Sequence, residues 1–376
     1  MDINELRKEI DKTNSDMLNL FIKRMELSQK IAEYKRENSL PVTDKKRERE
    51  ILSNVTENAG EYANYVHRFF STLFELSKAR QNELNQGGTK VHAQVEKALQ
   101  AGEAVFPRRA TIACQGIEGA NSQAACERLF PQGNIMFFST FEAVAQAVES
   151  GICEFGILPI ENSSNGSVRA VFELLRQYDV SVVRSTRICI RHELLAAKGT
   201  KLSDIKEICS HEQALGQCSA FLSTLKNVDI KPCENTAFAA KKAAENHGVA
   251  AIASHDCKEI YGLETLNDRI QNSENNYTRF ICITKEAKIY AGANRISLIF
   301  TCENKPGSLF EILSKLSALG LNMTKLESYP VVGRSFEFMF FVEFEASVLE
   351  KGVLGMLDDM ERSCDELRFT GCYSEI

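Results

Sequence analysis

Residues 158–168 read LPIENSSNGSV. The apolar run ends in Pro159 and Ile160, one carboxylate follows at Glu161, and positions 162–167 hold only small polar residues and glycine. This pattern predicts a buried strand whose carboxyl end carries short polar side chains, and open α/β sheets bind their ligands at that edge. Short polar residues also cap helices and form solvated turns, so this stretch alone leaves both interpretations open.

Two further strand ends carry polar side chains. In ICSHEQALGQCSAFL, residues 208–222, a strand is followed by Ser210, His211 and Gln213, and in ENNYTRFICI, residues 274–283, Thr278 and Arg279 enter a strand. The surrounding sequence alternates short apolar strands with helical patterns, which predicts an α/β region of two small lobes with a cleft. Each of these strand ends, taken singly, is more typical of a helix cap. A lone histidine such as His211 is likewise more often structural than catalytic.

The region before the lobes is helical. From Ile3 to Tyr34 apolar residues recur at steps of three and four, which predicts one helix of roughly 50 Å, longer than a small domain. A second helix is predicted to follow, with Thr43 or Asp44 as its N-cap, and a third over Ala63–Leu84.

The region after residue 294 has the order strand, helix, strand, strand, helix, strand, which predicts a ferredoxin-like α+β domain. We therefore expect a multidomain chain. Its predicted parts are an all-α domain of three long helices at residues 1–86, a linker at 87–107, a two-lobed α/β domain at 108–286 and the ferredoxin-like domain at 295–376.

Composition excludes several classes of function. The net charge of −6 and the pI near 5.7 argue against sequence-independent binding of nucleic acid. No run approaches the roughly 20 apolar residues of a membrane span, and MDINELRKEIDK is charged from its second residue, so we expect a cytoplasmic protein. The 12 cysteines lack C-x-x-C spacing and lie mostly in apolar strings, which predicts reduced, buried thiols.

Two basic residues lie on or beside the apolar stripe of the first helix. Arg24 and Lys35 are about three turns apart and point in nearly the same direction. Buried cations need anionic partners, although long basic side chains can also extend along a core edge and pair with Glu26 or Glu33. Arg7 lies about 25 Å from Arg24 along the axis, so it can reach the same small ligand only from the partner subunit of an antiparallel dimer.

The next two helices carry polar sets at helical spacing: Asp44, Arg47 and Glu48, then Ser77 and Gln81. Each set alone is typical of a solvated surface. Together with the basic residues of the first helix, and with LPVTDKKRERE at residues 40–50, they resemble the all-helical chorismate mutase domain.

This resemblance implies an intertwined homodimer in which Arg24 and Arg7 of the partner subunit hold the two carboxylates of chorismate. Lys35 and Gln81 would donate to the ether oxygen, and Glu48 and Asp44 would orient the ring hydroxyl. The remaining implied substrate-binding residues are Arg47 and Ser77. The chemistry agrees, because a Claisen rearrangement needs no nucleophile, only a dianion held in its reactive conformer and donors where negative charge grows.

The strand ends PIENSSNGSV, SHEQALGQC and YTRF, in that order, resemble prephenate dehydratase. The resemblance implies two lobes hinged like a type II periplasmic binding protein, with the active site in the cleft. Thr278 would donate to the departing hydroxyl, and the implied substrate-binding residues are Asn162, Ser163, Ser210, Gln213 and Arg279. The first loop, QGIEGANSQ at residues 115–123, departs from the family pattern at Gln115, Gly116 and Asn121.

KPGSLFEIL and LESYP, at residues 305–313 and 326–330, resemble the two motifs of regulatory ACT domains. The matching residues are Gly307, Ser308, Leu309, Glu327 and Ser328, and Tyr329 replaces the family's arginine. The resemblance implies a domain that pairs with its copy and binds L-phenylalanine as a feedback effector. A plain dimerisation domain is the alternative.

The sequence is therefore identified as a member of the bifunctional chorismate mutase/prephenate dehydratase family, which acts in phenylalanine biosynthesis. We expect a homodimer or a higher even-numbered homo-oligomer, with no metal, cofactor, nucleic acid or membrane partner. A mutase fused to a dehydrogenase would need a G-x-G-x-x-G loop after a strand, which the sequence lacks. A non-enzymatic metabolite-sensing protein is the remaining alternative, but it would not need the basic set on the long helix.

Overall fold

The computed structural model describes residues 2–38, 40, 44–84, 88–101, 105–331 and 338–376. The chain forms two compact units. Unit 1 joins Met1–Glu96 to Leu298–Arg368, and unit 2 joins Lys97–Ser297 to Phe369–Ile376. Each unit is therefore built from two separate stretches of sequence.

The α-helices, in chain order, are α1 (Ile3–Glu37), α2 (Lys45–Glu57), α3 (Ala63–Leu84), α4 (Lys90–Ala101), α5 (Asn121–Leu129), α6 (Phe141–Glu149), α7 (Arg169–Gln177), α8 (Glu212–Gln217), α9 (Ser219–Leu222), α10 (Thr236–Glu245), α11 (His255–Ile260), α12 (Ser308–Ala318) and α13 (Val353–Ser363). In the described ranges, none of them has the length and apolar character that crossing a membrane requires.

The strands are β1 (Thr111–Gln115), β2 (Asn134–Phe138), β3 (Phe155–Asn162), β4 (Gly166–Ser167), β5 (Ser181–Cys189), β6 (Glu193–Ala196), β7 (Glu207–Ser210), β8 (Asp229–Pro232), β9 (Val249–Ala253), β10 (Glu264–Asn267), β11 (Tyr277–Thr284), β12 (Arg295–Thr301), β13 (Asn322–Pro330), β14 (Phe338–Glu345) and β15 (Glu366–Glu375). The predicted βαββαβ order at the end of the chain is confirmed.

The helices of the amino-terminal region begin and end close to the predicted residues. The Asp44 carboxylate accepts a hydrogen bond of 3.0 Å from the Arg47 backbone N–H and so caps α2. Asp44 is thus confirmed as the cap of this helix, whereas Thr43, the alternative, lies outside the described residues. The third helix occupies the predicted range. The predicted linker contains α4, in which Val95 is buried.

The apolar stripe of α1 stays largely exposed in a single chain. Within α1, only Ser28 and Ala32 are buried. Ile10 is 59% exposed and Leu20 is 66% exposed, although the periodicity predicts that both belong to a packed face. An exposed apolar stripe of this length is typical of a surface that another chain covers.

Buried charges connect α3 to α12 and α13 within unit 1. Lys315 Nζ pairs with Asp359 and lies 3.7 Å from Glu75 Oε2. Glu75 also pairs with Lys78, whose Nζ lies 3.8 Å from Glu48 Oε2. Lys78, Lys315 and Asp359 are buried, and the alternation of sign gives each a partner, as buried ions require. We call these five residues the charge network.

The strands of unit 1 pair in the order β13-β14-β12-β15. Gly307 precedes α12 with a φ of +93°, a left-handed conformation that glycine adopts without strain. The turn before the first helix of the ferredoxin-like domain therefore requires the glycine that the motif supplies.

Unit 2 contains two sheets with the same strand arrangement. The first has the order β2-β1-β3-β11-β5 and the second the order β8-β7-β9-β6-β10. In each sheet the fourth strand, β11 or β6, runs antiparallel to its neighbours. The chain therefore crosses between the sheets twice, after β5 and after β10. This is the predicted two-lobed fold of type II periplasmic binding proteins, and it is confirmed.

Residues 369–376 complete the first sheet of unit 2. Ser374 pairs with Arg184 in the parallel ladder between β15 and β5. At Gly371 a Cβ atom would lie 2.0 Å from the carbonyl oxygen of Val182, so the backbones meet there without room for a side chain. The last strand is thus packed directly onto the first lobe.

The prediction that most of the cysteines are buried is confirmed. All cysteines are free, and only Cys189, Cys233, Cys302 and Cys364 are not fully buried. Burial raises the pKa of the Cys209 thiol to about 11 and that of the Cys218 thiol to about 12. Such thiols carry little thiolate at neutral pH, and they act as small apolar side chains in the cores.

Candidate active sites

A cavity of about 190 Å³ lies between the two lobes of unit 2. The first lobe contributes Gln115, Asn121, Ser122, Asn162 and Thr278, and the second contributes His192, His211, Gln213, Gln217 and Asn235. A second cavity of about 330 Å³ shares Gln213 and Gln217 with the first. The first cavity is therefore lined by residues from the divergent first loop, from LPIENSSNGSV and from SHEQALGQC.

LPIENSSNGSV forms a turn that fixes Asn162. The Asn162 Oδ1 atom accepts hydrogen bonds of 3.0 Å from the backbone N–H groups of Ser164 and Asn165. Its Nδ2 group donates to Thr278 Oγ1, also at 3.0 Å. Because Thr278 Oγ1 already accepts a hydrogen bond, its own hydroxyl proton is left to be donated. The short side chains of this loop therefore hold the Thr278 hydroxyl at the cavity rather than only solvate a turn.

The structure brings Asn162, Gln213 and Thr278 to the cavity, but other predicted residues lie elsewhere. Ser210 is completely buried and donates to the carbonyl oxygen of Ile252 at 2.6 Å, inside the second sheet. Ser163 donates to the carbonyl oxygen of Asn275 at 3.0 Å, beside the cavity wall. Neither Ser163 nor Ser210 lines the two cavities described above.

Arg279 lies on the opposite face of β11 from Thr278, because adjacent residues of a strand alternate in direction. Its guanidinium is buried, with Nε 2.9 Å from Glu375 Oε2 and an amino nitrogen 3.9 Å from Glu161 Oε2. The substrate contacts predicted for Arg279 and Ser210 have no support in these positions.

The cavity residues that the sequence analysis missed include His192, Gln217 and Asn276. Gln217 follows Gln213 by four positions on α8, so both fall on one helical face. That spacing is visible in SHEQALGQC and could have predicted the second glutamine. His211 has the structural role that was weighed as its alternative, since its ring nitrogen Nδ1 accepts from the Gln213 backbone N–H at 3.3 Å and caps α8.

The predicted mutase residues fall into two groups on the helices of unit 1. Arg24 donates to Ser77 Oγ and, at 3.1 Å, to the carbonyl oxygen of Leu73, and its guanidinium lies over the ring of Phe74. Burial lowers the pKa of Arg24. Gln81 is buried on α3, the helix that carries Ser77, and its Oε1 atom has no hydrogen-bond partner among the described residues. A half-buried cation and an unsatisfied buried amide are expected of a polar ligand site.

Glu48 and Lys35 form the second group. Burial raises the pKa of Glu48, and the positive charges of Lys78 and Lys35 oppose that rise. Asp44 uses its carboxylate to cap α2, and Arg47 lies 3.4 Å from Glu50 on the exposed side of that helix. Arg7 is exposed near the start of α1, about 25 Å along the helix from Arg24. One chain therefore does not bring Arg7 together with the other mutase residues.

The predicted effector residues lie near the start of α12 and along β13. Gly307 and Ser308 form the turn and the first helical position, and Ser308 Oγ is buried with no hydrogen-bond partner in the described ranges. Glu327 pairs with Lys325 at 3.6 Å. Tyr329, the residue that replaces arginine, is buried, whereas Ser328 is exposed on the other face of the strand.

Fold and sites define a class of protein with a two-lobed ligand cleft, a helical site rich in basic side chains and a ferredoxin-like domain. Three family models match these parts in turn: Chorismate mutase type II over residues 6–82, Prephenate dehydratase over 112–288 and ACT domain over 296–351. Among the described residues, no group of three or more His, Cys, Asp or Glu side chains could hold a metal.

The chain is 30% identical to the bifunctional chorismate mutase/prephenate dehydratase of Buchnera aphidicola subsp. Acyrthosiphon pisum, across 98% of this chain and 95% of that one. It belongs to the bifunctional chorismate mutase/prephenate dehydratase family. Two solved structures share its fold with a TM-score of 0.65. One is prephenate dehydratase from Arthrobacter aurescens in complex with L-Phe, 26% identical over 70% of this chain and 89% of that one. The other is GqqA, described as a novel type of quorum quenching acylase, 28% identical over 71% and 98%.

Proposed function

We propose that this protein rearranges chorismate to prephenate at the helical site and converts prephenate to phenylpyruvate in the cleft of unit 2. The observation that carries the second reaction is the Thr278 hydroxyl, held by Asn162 in the cavity between the lobes. The fold alone does not choose the reaction, because GqqA shares it under a different description. The Thr278 hydroxyl in the cleft and the basic side chains of the helical site are the features that favour these two reactions.

The dehydration needs a donor at one atom of prephenate. As the bond from the ring to the carboxylate breaks, its electron pair enters the ring, carbon dioxide leaves and the hydroxyl on the far side departs with its own electron pair. Thr278 donates a hydrogen bond to that hydroxyl, which takes up one proton from solvent and leaves as water. The products are phenylpyruvate, carbon dioxide and water, and formation of the aromatic ring drives the step. Gln213 and Asn162 hold the substrate in this orientation.

The rearrangement needs a second copy of the chain. Arg24 binds one carboxylate of chorismate, Lys35 and Gln81 donate to the ether oxygen, and Arg7 of the partner subunit binds the other carboxylate. The exposed apolar stripe of α1 supports this arrangement, because a long helix with an open apolar face is stabilised by burying that face against another chain. We therefore propose an even-numbered homo-oligomer.

The ferredoxin-like domain binds L-phenylalanine as a feedback inhibitor, and we assign the effector contacts to residues 307–309 and 327–328. The likeness to a prephenate dehydratase solved with L-Phe supports this part of the proposal. The matched family ranges support a division into three successive domains, which we place at residues 1–86, 108–286 and 295–376, with a linker at 87–107. Twelve free thiols support a reducing, cytoplasmic location.

The test is to incubate the purified protein with chorismate and to follow prephenate and phenylpyruvate, with and without L-phenylalanine. Thr278→Ala should abolish phenylpyruvate formation while prephenate still accumulates. Lys35→Ala should lower mutase kcat by at least about 100-fold, the usual scale for one lost donor to developing charge, and leave dehydratase turnover on added prephenate intact. Near wild-type rates in either variant would contradict the corresponding assignment. A metabolite sensor without enzymatic activity would form neither product.

A further inference from the structure

His192 is a buried histidine that none of the roles above uses. It lies directly before β6, where the chain first crosses between the lobes, and it is 2% exposed. Its backbone N–H donates to Gln271 Oε1 at 3.1 Å, and its carbonyl oxygen accepts from the Ile270 N–H at 3.2 Å. The ring lines the same cavity as Thr278, and its Nε2 atom lies 2.9 Å from Gln217 Oε1. His192 is therefore held in place by hydrogen bonds to both its backbone and its ring.

The directions of the hydrogen bonds around His192 follow from the turn at Asn162. Backbone N–H groups can only donate, so the Asn162 atom that faces Ser164 N and Asn165 N is its oxygen. Its Nδ2 group then donates to Thr278 Oγ1 and to Asn276 Oδ1, each at 3.0 Å. This assignment needs no choice between amide orientations.

The same reasoning extends to the second lobe. Because Asn276 uses its oxygen to accept from Asn162, its Nδ2 group is the one that donates to Gln217 Oε1, at 2.8 Å. Gln217 Oε1 is thus an acceptor on both sides, and the His192 Nε2 atom that faces it must carry the hydrogen. Burial lowers the pKa of His192, which favours the neutral ring with Nδ1 as its unprotonated nitrogen. That Nδ1 atom has no hydrogen-bond partner in the described part of the chain.

We propose that His192 is a positioning residue for the dehydration of prephenate, acting through Gln217. Its Nε2–H and the Asn276 amide both occupy Gln217 Oε1, so the Gln217 side chain is held with its two N–H bonds left for the substrate. Gln217 lines both cavities, and the donors of a carboxamide suit a carboxylate or keto oxygen. The inference rests on the proposed dehydratase activity, and it assigns one connected set of hydrogen bonds, from His192 to Thr278, across the cleft.

The chain offers a matched pair of variants for the test. His192→Gln keeps an amide nitrogen close to the position of Nε2, whereas His192→Asn places its amide close to Nδ1. We expect His192→Asn to lower dehydratase kcat/KM by about 10- to 100-fold, as for one lost hydrogen bond in a buried network, and His192→Gln to stay within about fivefold of wild type. Thermal unfolding followed by circular dichroism should give similar midpoints for the two variants.

A double variant tests whether His192 acts through Gln217. If it does, His192→Asn combined with Gln217→Met should be no slower than Gln217→Met alone. A multiplicative loss would overturn the proposal, as would equal losses in His192→Gln and His192→Asn or wild-type kcat/KM in His192→Asn. If the unmodified protein did not turn over prephenate, the proposed function itself would fail, so the two failures are distinguishable.

Discussion

Replacing Lys315 by methionine tests whether the charge network stabilises unit 1. The Lys315 side chain is 6% exposed, pairs with Asp359 and lies 3.7 Å from Glu75. One such pair contributes roughly 4 kcal/mol of Coulomb energy at an effective dielectric constant of about 20, before the cost of removing the ions from water. Removal of one partner from a buried pair costs about 3–5 kcal/mol. Because Glu75 keeps Lys78, we expect a loss of about 3 kcal/mol in the free energy of unfolding of unit 1.

The assay is urea unfolding of the full chain, with mutase and dehydratase activities measured at each concentration. With an m-value of about 2 kcal/mol/M, a loss of about 3 kcal/mol moves the midpoint for mutase activity down by about 1.5 M. The midpoint for dehydratase activity should move much less, because the network lies in unit 1 and the cleft lies in unit 2.

Lys305→Met is the matched control. Lys305 lies in the same ferredoxin-like domain and pairs with Glu303, but both side chains are more than half exposed. Exposed pairs contribute little to stability, so this substitution should leave both midpoints unchanged. If Lys315→Met behaved like Lys305→Met, the reasoning from burial would be refuted.

Two further predictions concern the mutase site and the end of the chain. Among the positive charges that lower the pKa of Glu48, Lys78 has the greatest effect. Without it, the Glu48 carboxylate becomes protonated at a higher pH. Lys78→Met should therefore move the acid limb of mutase kcat/KM to higher pH. An unmoved limb would argue against Glu48 as a ligand of the ring hydroxyl. Gly371→Ala places a Cβ atom 2.0 Å from the Val182 carbonyl oxygen and should destabilise unit 2 by about 3 kcal/mol. The measurement is the urea midpoint for dehydratase activity, and no change in it would show that the two strands can separate freely.

Much of the fold follows from local patterns in the sequence. Apolar steps of three and four gave the long helices, and the order of strands and helices gave both the two lobes and the ferredoxin-like domain. The cap at Asp44 followed from the preference of short polar side chains for helix N-termini. These features depend on interactions between residues close together in the chain, and sequence patterns record such interactions well.

The residues of the site were harder to predict. Thr278 and Arg279 both match the YTRF motif, yet neighbouring residues of a strand face opposite ways, so only Thr278 reaches the cavity. Strand alternation could have separated the two. His192 and Asn276 lie next to Gln217 only because the chain crosses twice between the lobes. No pattern in a single segment records that contact.

The sequence patterns of the separate domains did not predict that the amino-terminal helices and the ferredoxin-like domain would form one unit. Lys315 and Asp359 lie on amphipathic helices, where charged residues are usually solvated. Their burial depends on α3, a helix more than two hundred residues earlier in the sequence. Periodicity identifies the face of a helix that is covered, but it does not identify the element that covers it.

The placement of residues 369–376 bears on how the protein is made. Glu375 forms an ion pair with Arg279, the neighbour of Thr278, so the first lobe lacks this contact until that segment leaves the ribosome. The edge of β5 that this segment covers therefore stays open while some seventy residues belonging to unit 1 are translated. Synthesis order and assembly order differ in this chain, and chaperones that shield exposed strands have a defined interval in which to act.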